Sequence, residues 1–346
     1  MRAAERATRI ARLGLLAGSL LLIALHAHAD EAKPGPPELK LSVAVGPAYA
    51  LGQAAEKWAQ RISASSDAGL ALKVYPGAVL SSRDPALEFA ALRNGAADLA
   101  IGSSLFWSGD VPALRVVGLP WLAPEPAQLD ALATGSVADE LQKAVERSGV
   151  VPLALAPLGH RVLAVRPRAV RMPADIAGLK VRIAFSPTLT PLYGALGAQP
   201  LTMPFAAAQA AFASGVIDAQ DANLDTLAGM RADMLGMKWV LQWGAVAEIA
   251  VFAVNRSRWI ALSDAQRTLL QESATAGAKE LTMLSRQEND AALEALRKGG
   301  MTAIRLTATG RAPFVAATRE VYDAQAKEAG IDLVHAAEAA VKAVPQ

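Results

Sequence analysis

The chain of 346 residues contains no cysteine. That excludes disulfides, thiolate zinc sites, iron–sulfur clusters and a cysteine nucleophile. Histidine is scarce too, four in all, so a histidine-built metal centre is not expected. Aromatics make up 5% of the residues, and neither sign of charge dominates, with 34 Lys and Arg against 32 Asp and Glu. No basic excess marks a nucleic-acid or anionic-membrane surface. What the chain does have is length and apolar content. Its 53% hydrophobic residues, 26 Gly and 20 Pro fit a globular protein of about two domains, able to bury a core without covalent staples.

The first 29 residues hold a charge pattern of their own. Arg2, Arg6, Arg9 and Arg12 form a basic start with Glu5 as its single acid, Leu13 to Leu25 runs apolar, and Ala27-His28-Ala29 puts small residues at the −3 and −1 positions of a cut before Asp30. These are the parts of a secretory signal peptide. The apolar run is short of the roughly 20 residues that span a bilayer, so cleavage is preferred to an uncleaved anchor. Cutting after Ala29 leaves 30 basic and 31 acidic side chains, close to neutral, with His160 and His335 as the remaining histidines. Residues 30–38 are Pro-rich and read as an exposed tether.

From there the pattern alternates between strands and helices. Leu39 to Val45 alternates apolar and polar as a half-buried strand does, and Ala50 to Ser63 places Leu51, Ala55, Trp58 and Ile62 on one helical face. Further strands are expected at Leu70–Tyr75 and Ala97–Ile101, with a helix between them that starts at Asp84-Pro85 and ends at Asn94-Gly95. The same order recurs at Leu179–Ala184, Thr188–Leu196, Phe205–Ser214 and Val216–Gln220. Asn94-Gly95-Ala96-Ala97-Asp98 and Ser214-Gly215-Val216-Ile217-Asp218 share a helix end, then Gly-x-x-Asp, then a strand. Such alternation argues for parallel α/β layers in two similarly built lobes. A capping box at Ser263-Asp264-Ala265-Gln266 opens a helical stretch to about Lys298, long enough to brace both lobes. A strand at Met301–Leu306 and a helix at Ala312–Ala329 follow.

No G-x-S-x-G, H-E-x-x-H, Walker A or G-x-G-x-x-G motif is present, so nothing points to catalysis, a cofactor or a metal. Tyr49, Ser104 and Trp107 fall where strands hand over to loops, the edge at which open α/β sheets bind ligands. For Trp107, core packing and a pocket wall stand equal; for Trp121, core packing is preferred. Arg161 and Arg182 sit in apolar strands, where an arginine needs a partner, either an internal carboxylate or an anionic ligand held through two parallel hydrogen bonds.

Ordered motifs then add a resemblance. Val74-Tyr75-Pro76-Gly77-Ala78-Val79-Leu80, Asn94-Gly95-Ala96-Ala97-Asp98, Leu119-Pro120-Trp121-Leu122, Gly178-Leu179-Lys180-Val181-Arg182-Ile183, Met203-Pro204-Phe205 and Gly215-Val216-Ile217-Asp218 occur in sequence. Together they resemble the DctP-type solute-binding proteins of TRAP transporters, over about Leu39 to Gly330. The resemblance implies an α/β, two-lobe periplasmic binding-protein fold with an interlobe ligand cleft and a long bracing helix. It implies lobe I at 39–157 plus 248–287, lobe II at 158–247 plus 288–332, and a tail at 333–346. It further implies a periplasmic, monomeric, non-enzymatic protein that hands a small organic acid to a TRAP permease. Arg182 becomes the carboxylate clamp, Arg161 a second ligand-facing arginine and Phe205 an aromatic against the ligand. Ala207 and Gln209 stand where many members carry Glu and Tyr, and Asp221-Ala222 where many carry Glu-Asn, which leaves Asn223 as the candidate third anchor. Fewer polar anchors imply a less polar acid than a sugar acid. A sensor module for a membrane kinase and an exported two-lobe hydrolase or isomerase are the alternatives.

Overall fold

A computed structural model describes residues 38–65, 69–203 and 205–345, apart from the side chains of Phe205, Ala206 and Gln209. The expected signal peptide, residues 1–29, and the expected tether as far as Pro37 lie outside the described residues. The strands are β1 (Glu38–Val43), β2 (Ala71–Tyr75), β3 (Leu99–Ser103), β4 (Val150–His160), β5 (Val162–Val165), β6 (Lys180–Ile183), β7 (Gln199–Thr202), β8 (Ala219–Ala222), β9 (Trp239–Gln242), β10 (Ala247–Asn255) and β11 (Thr302–Arg305). Five helices matter most here: α1 (Ala50–Ala64), α2 (Leu224–Gly229), α3 (Asp264–Lys298), α4 (Arg319–Ala329) and α5 (Ile331–Lys342).

Two sheets organise two lobes. The first has the order β2-β1-β3-β10-β4, the second β11-β9-β5-β8-β6-β7. In β1 the alternation works as read: Leu39, Leu41 and Val43 enter a core that α1 closes with Ala54, Ala55, Trp58 and Ile62. The expected parallel layers account for only part of each sheet. β1 pairs parallel with β2 and β3, and β6 with β7 and β8, but β10 runs antiparallel to β3 and β4, and β5 antiparallel to β8 and β9. These antiparallel strands are the ones that carry the chain between the lobes.

The internal repeat is physical. β2-β1-β3 and β7-β6-β8 share one strand order. In the first, Asp98 Oδ2 accepts the Lys40 N–H at 2.8 Å while the Asp98 N–H donates to Lys40 O at 2.9 Å. In the second, Asp218 Oδ2 accepts the Lys180 N–H at 2.9 Å and the Asp218 N–H donates to Lys180 O at 2.9 Å. Each Asp accepts the amide just before the first residue paired with its own strand, Leu41 or Val181, a donor that this ladder leaves over. Gly95 and Gly215, at φ +80° and +73°, make the turn that brings each Asp there.

α3 is 35 residues long, about 50 Å at ~1.5 Å per residue. Its capping box forms as the sequence indicates: Ser263 Oγ accepts the Gln266 N–H and Gln266 Oε1 accepts the Ser263 N–H. Leu270, Ala274, Ala278 and Leu281 lie in the first lobe's core, Ala292 and Leu296 in the second's. One rigid element is thus shared by both lobes.

The C-terminal part departs from expectation. The helix expected over Ala312–Ala329 is interrupted at buried Thr318, whose hydroxyl donates to Phe314 O and accepts from Trp121 Nε1–H at 2.8 Å. Residues 333–346, read as a tail, are helical through α5, and Val334, Ala337 and Val341 are buried with Ala326 and Ala329 of α4 in a first-lobe cluster around Leu129, Leu141 and Val145. Alanine carries little hydrophobic contrast, so the amphipathic stripe of α5 is faint in the sequence although its helix propensity is high.

Glu88 is 1% exposed beneath β1, where it accepts the Ser42 hydroxyl at 2.8 Å. Burial raises its pKa to about 7, and the Ser42 hydrogen bond only partly opposes this. The folded chain therefore holds a proton that the unfolded chain, near 4.5, gives up. Stability falls as pH rises between those values and levels off above about 7. Glu88→Gln should flatten that fall and exceed the parent in stability above neutrality by up to about 3 kcal/mol, at about 1.36 kcal/mol per pKa unit. Urea midpoints of both proteins at about pH 5 and pH 8 check this; equal pH slopes would refute it.

Candidate functional site

The strands that cross between the lobes meet at a buried ionic network. Arg161 stands between β4 and β5, 5% exposed. Its Nε donates to Asp221 Oδ1, its Nη1 to Glu248 Oε1 at 2.6 Å and its Nη2 to Asp221 O at 3.0 Å. Ser103, the last residue of β3, donates to Glu248 Oε2 at 2.6 Å, and Tyr193 donates to Asp221 Oδ2 at 2.9 Å. The chain Ser103–Glu248–Arg161–Asp221–Tyr193 thus runs from the first sheet to the second. Burial works against the charge on Arg161, but the two carboxylates outweigh it and push its pKa up. Burial also holds Asp221 above the usual carboxylate range, with Arg161 as the main opposing influence. Of the two partners the sequence allowed for Arg161, an internal carboxylate or a ligand, the structure supplies two carboxylates.

Arg182 is different. It lies in β6 opposite Gln220 of β8 and is 5% exposed. Its Nε and Nη2 both donate to Met203 O, at 3.2 and 2.7 Å. Burial, and then the positive charge of Arg161, lower its pKa to about 10; Asp221 acts the other way. It remains a cation at neutral pH. Gln220 donates to Met230 Sδ at 3.2 Å, while its Oε1 is buried without a hydrogen-bond donor. The same holds for Asn223 Oδ1, directly after β8. Arg182 and Gln220 thus put a cation and an unfilled acceptor on paired strands, and Asn223 adds a second unfilled acceptor just beyond the end of β8.

The other expected residues separate. Ser104 Oγ is buried and accepts the Ile249 N–H at 3.1 Å, a fold contact between β3 and β10. Trp107 is fully buried, edge-to-face with Phe89 at 5.2 Å, and occupies the space a side chain at Gly102 would need; it is a core residue, not a pocket wall. Trp121, as preferred, packs with Trp243 and Phe314. Tyr49 caps the start of α1 and lays its ring on Gly229 at the end of α2, in the other lobe. The Phe205 side chain lies outside the described residues. Ser103, Tyr193 and Glu248 were not singled out in the sequence. Glu248 did leave a signal: it is the lone acid in Ala247–Asn255, a strand buried throughout.

A cavity of about 350 Å³ opens on the opposite side of the crossing strands. His160 and Val162 line it, and Arg161 between them turns the other way, as alternation along an extended chain requires. Glu125 accepts from Arg305 at 2.9 Å and from Arg311 at 2.8 Å at its edge. None of the expected site residues faces it. Among the described residues no group of His, Asp and Glu could hold a metal ion, and no helix is long and apolar enough to cross a membrane.

Removing one carboxylate from Arg161 leaves a buried charge undercompensated. Glu248→Ala should destabilise the fold by about 3–5 kcal/mol, and Ser103→Ala by only about 1–2. Urea denaturation of the three proteins measures both; a Glu248→Ala loss no larger than that of Ser103→Ala would remove the network from its central place.

Comparison with known proteins agrees with this architecture. The sequence model of bacterial extracellular solute-binding protein family 7 (DctP) matches residues 41–329. The chain is 27% identical, over 87% of its length and 90% of the relative's, to the C4-dicarboxylate-binding periplasmic protein DctP of Rhodobacter capsulatus. It is 29% identical to an uncharacterised Sinorhizobium fredii protein, of whose length it spans 59%. Among solved structures, a TRAP periplasmic solute-binding protein of Ralstonia eutropha H16 with bound (S)-2-acetolactate is 35% identical, with TM-score 0.85 over 88% of this chain and 98% of that one. A sugar-acid-binding protein of Advenella mimigardefordensis in complex with galactonate, 19% identical with TM-score 0.82, shares the fold. With two lobes, crossing strands, a shared long helix and a family match over most of its length, the chain belongs to bacterial extracellular solute-binding protein family 7, the DctP family of TRAP-type solute-binding proteins.

Proposed function

We propose that this protein captures a short hydroxy- or keto-monocarboxylate in the cleft between its lobes and delivers it to a TRAP permease. It binds and does no chemistry on the ligand. Arg182 carries this reading: it is a buried guanidinium whose charge burial and Arg161 disfavour, so that a carboxylate is the group it would gain most from. The planar fork suits two parallel hydrogen bonds to a carboxylate. Asn223 Oδ1 and Gln220 Oε1 then call for a donor on the ligand, which a hydroxyl supplies. The bound 2-acetolactate of the Ralstonia eutropha relative is an acid of this size and polarity. Phe205 would add an apolar wall. Arg161 serves by holding the crossing strands and the local potential, not by touching ligand.

The same reading places the protein outside the cytoplasm as a monomer, with the leader cut after Ala29. Closing the lobes around the acid excludes water, which strengthens the Arg182–carboxylate pair.

After unfolding and refolding to strip carried ligand, a thermal-shift series should give the largest rise with 2-hydroxy and 2-keto monocarboxylates. At about 100 times its dissociation constant an acid stabilises the fold by about 2.7 kcal/mol. Arg182→Ala should weaken binding at least roughly tenfold, about 1.4 kcal/mol, and Arg182→Lys should restore only part of it. Sugar acids binding tighter than the short acids would overturn the ligand class, and unchanged affinity in Arg182→Ala would overturn the clamp.

A further inference from the structure

Tyr49 and Gly229 meet across the two lobes. Tyr49 precedes α1, which packs on β1 and β2 in the first lobe, whereas Gly229 ends α2, whose Leu224 and Leu227 are buried with Val162, Ala164 and Phe212 in the second. A Cβ built on Gly229 would stand 2.7 Å from Tyr49 Cε1 and 3.1 Å from both its Cζ and its hydroxyl oxygen. Carbon atoms do not approach that closely, so the hydroxyl end of the ring rests on bare backbone. Gly229 does not have a positive φ, so turn geometry does not demand glycine there. The ring from the other lobe accounts for a side-chain-free position there. One helical turn earlier on the same face, Asp225 lies near enough for its charge to add to burial in raising the Tyr49 pKa. Both partners sit at the carboxyl ends of strands, Tyr49 beyond β1 and α2 beyond β8, which is the rim of the cleft.

We propose that Tyr49 is the closing contact of the cleft and that Gly229 is its receptor, so that this pair sets how readily the lobes shut over a ligand. This rests on the carboxylate-binding reading and moves Tyr49 from ligand contact to positioning residue. A contact made in the closed state and absent from the open one adds to the closing equilibrium alone, and apparent affinity scales with the closed fraction. A side chain at Gly229 meets the ring before the lobes are fully together.

The absence of cysteine makes the test direct, since two introduced thiols are the only ones to label. Gln60→Cys on α1 and Ser214→Cys in the second lobe, both exposed, carry spin labels whose separation reports closure. Distances are read with and without (S)-2-acetolactate, in the labelled parent, in Gly229→Ala, in Gly229→Leu and in each of these combined with Tyr49→Ala. Gly229→Leu should move the distance distribution toward the open form and weaken acid binding roughly five- to tenfold, Gly229→Ala less. Thermal stability without acid should stay at the parent value, which a merely structural role for Gly229 would not allow. Tyr49→Ala should remove most of the additional effect of either Gly229 substitution. Distances unchanged in Gly229→Leu, with and without the acid, overturn the proposal. So does a Gly229→Leu effect of equal size in the Tyr49→Ala background. Failure of the acid to shift the parent's distances counts against the ligand class alone, because the comparison among variants without acid still decides the contact.

Discussion

One arginine between two carboxylates, at the place where strands pass from lobe to lobe, is the interaction the rest of the molecule depends on. Three charges with almost no exposure are tolerated only because each hydrogen bond is made: Arg161 uses Nε, Nη1 and Nη2, Asp221 both carboxylate oxygens, and Glu248 both of its own. Desolvation at such a site costs several kcal/mol per ion unless geometry and pairing offset it. The geometry in turn needs β5, β8 and β10 in fixed register, because Asp221 and Glu248 come from different sheets. The network therefore gives the crossing strands one arrangement.

The two lobes add a second constraint, the repeated strand–helix–strand unit. Asp98 and Asp218 perform one task in two places, and the antiparallel strands link the units without disturbing them. Into this frame the molecule sets two arginines with opposite surroundings. Arg161 is held by two carboxylates; Arg182 donates to the backbone oxygen of Met203 and has Arg161 as a like-charged neighbour.

Much of the fold was legible. The alternation in β1, the apolar face of α1, the capping box of α3 and the paired Gly-x-x-Asp turns are local patterns, and local hydrogen bonding or burial enforces each. The site was legible only in part. Arg161 and Arg182 were conspicuous as charges in apolar strands, yet their partners lie 60 and 87 residues away for Arg161 and 21 for Arg182. Trp107 shows the reverse failure. Loop-like neighbours left a pocket role open, but the Gly102 backbone leaves a space that only its ring fills. The Ala-rich end gave no clear stripe, and α5 is defined by what it packs against.

Composition, the basic and then apolar pattern of the first 29 residues, helix starts and stops, the two-lobe repeat and the family motifs were determined by the sequence by itself, because each depends on neighbours within a few residues or on a recurring order along the chain. Which arginine is paired, which aromatic is core and which surfaces of the two lobes touch were decided only by the tertiary structure. The physical reason is that burial and ion pairing depend on separation in space, and the strands that bring Ser103, Arg161, Asp221 and Glu248 together are joined by no local rule.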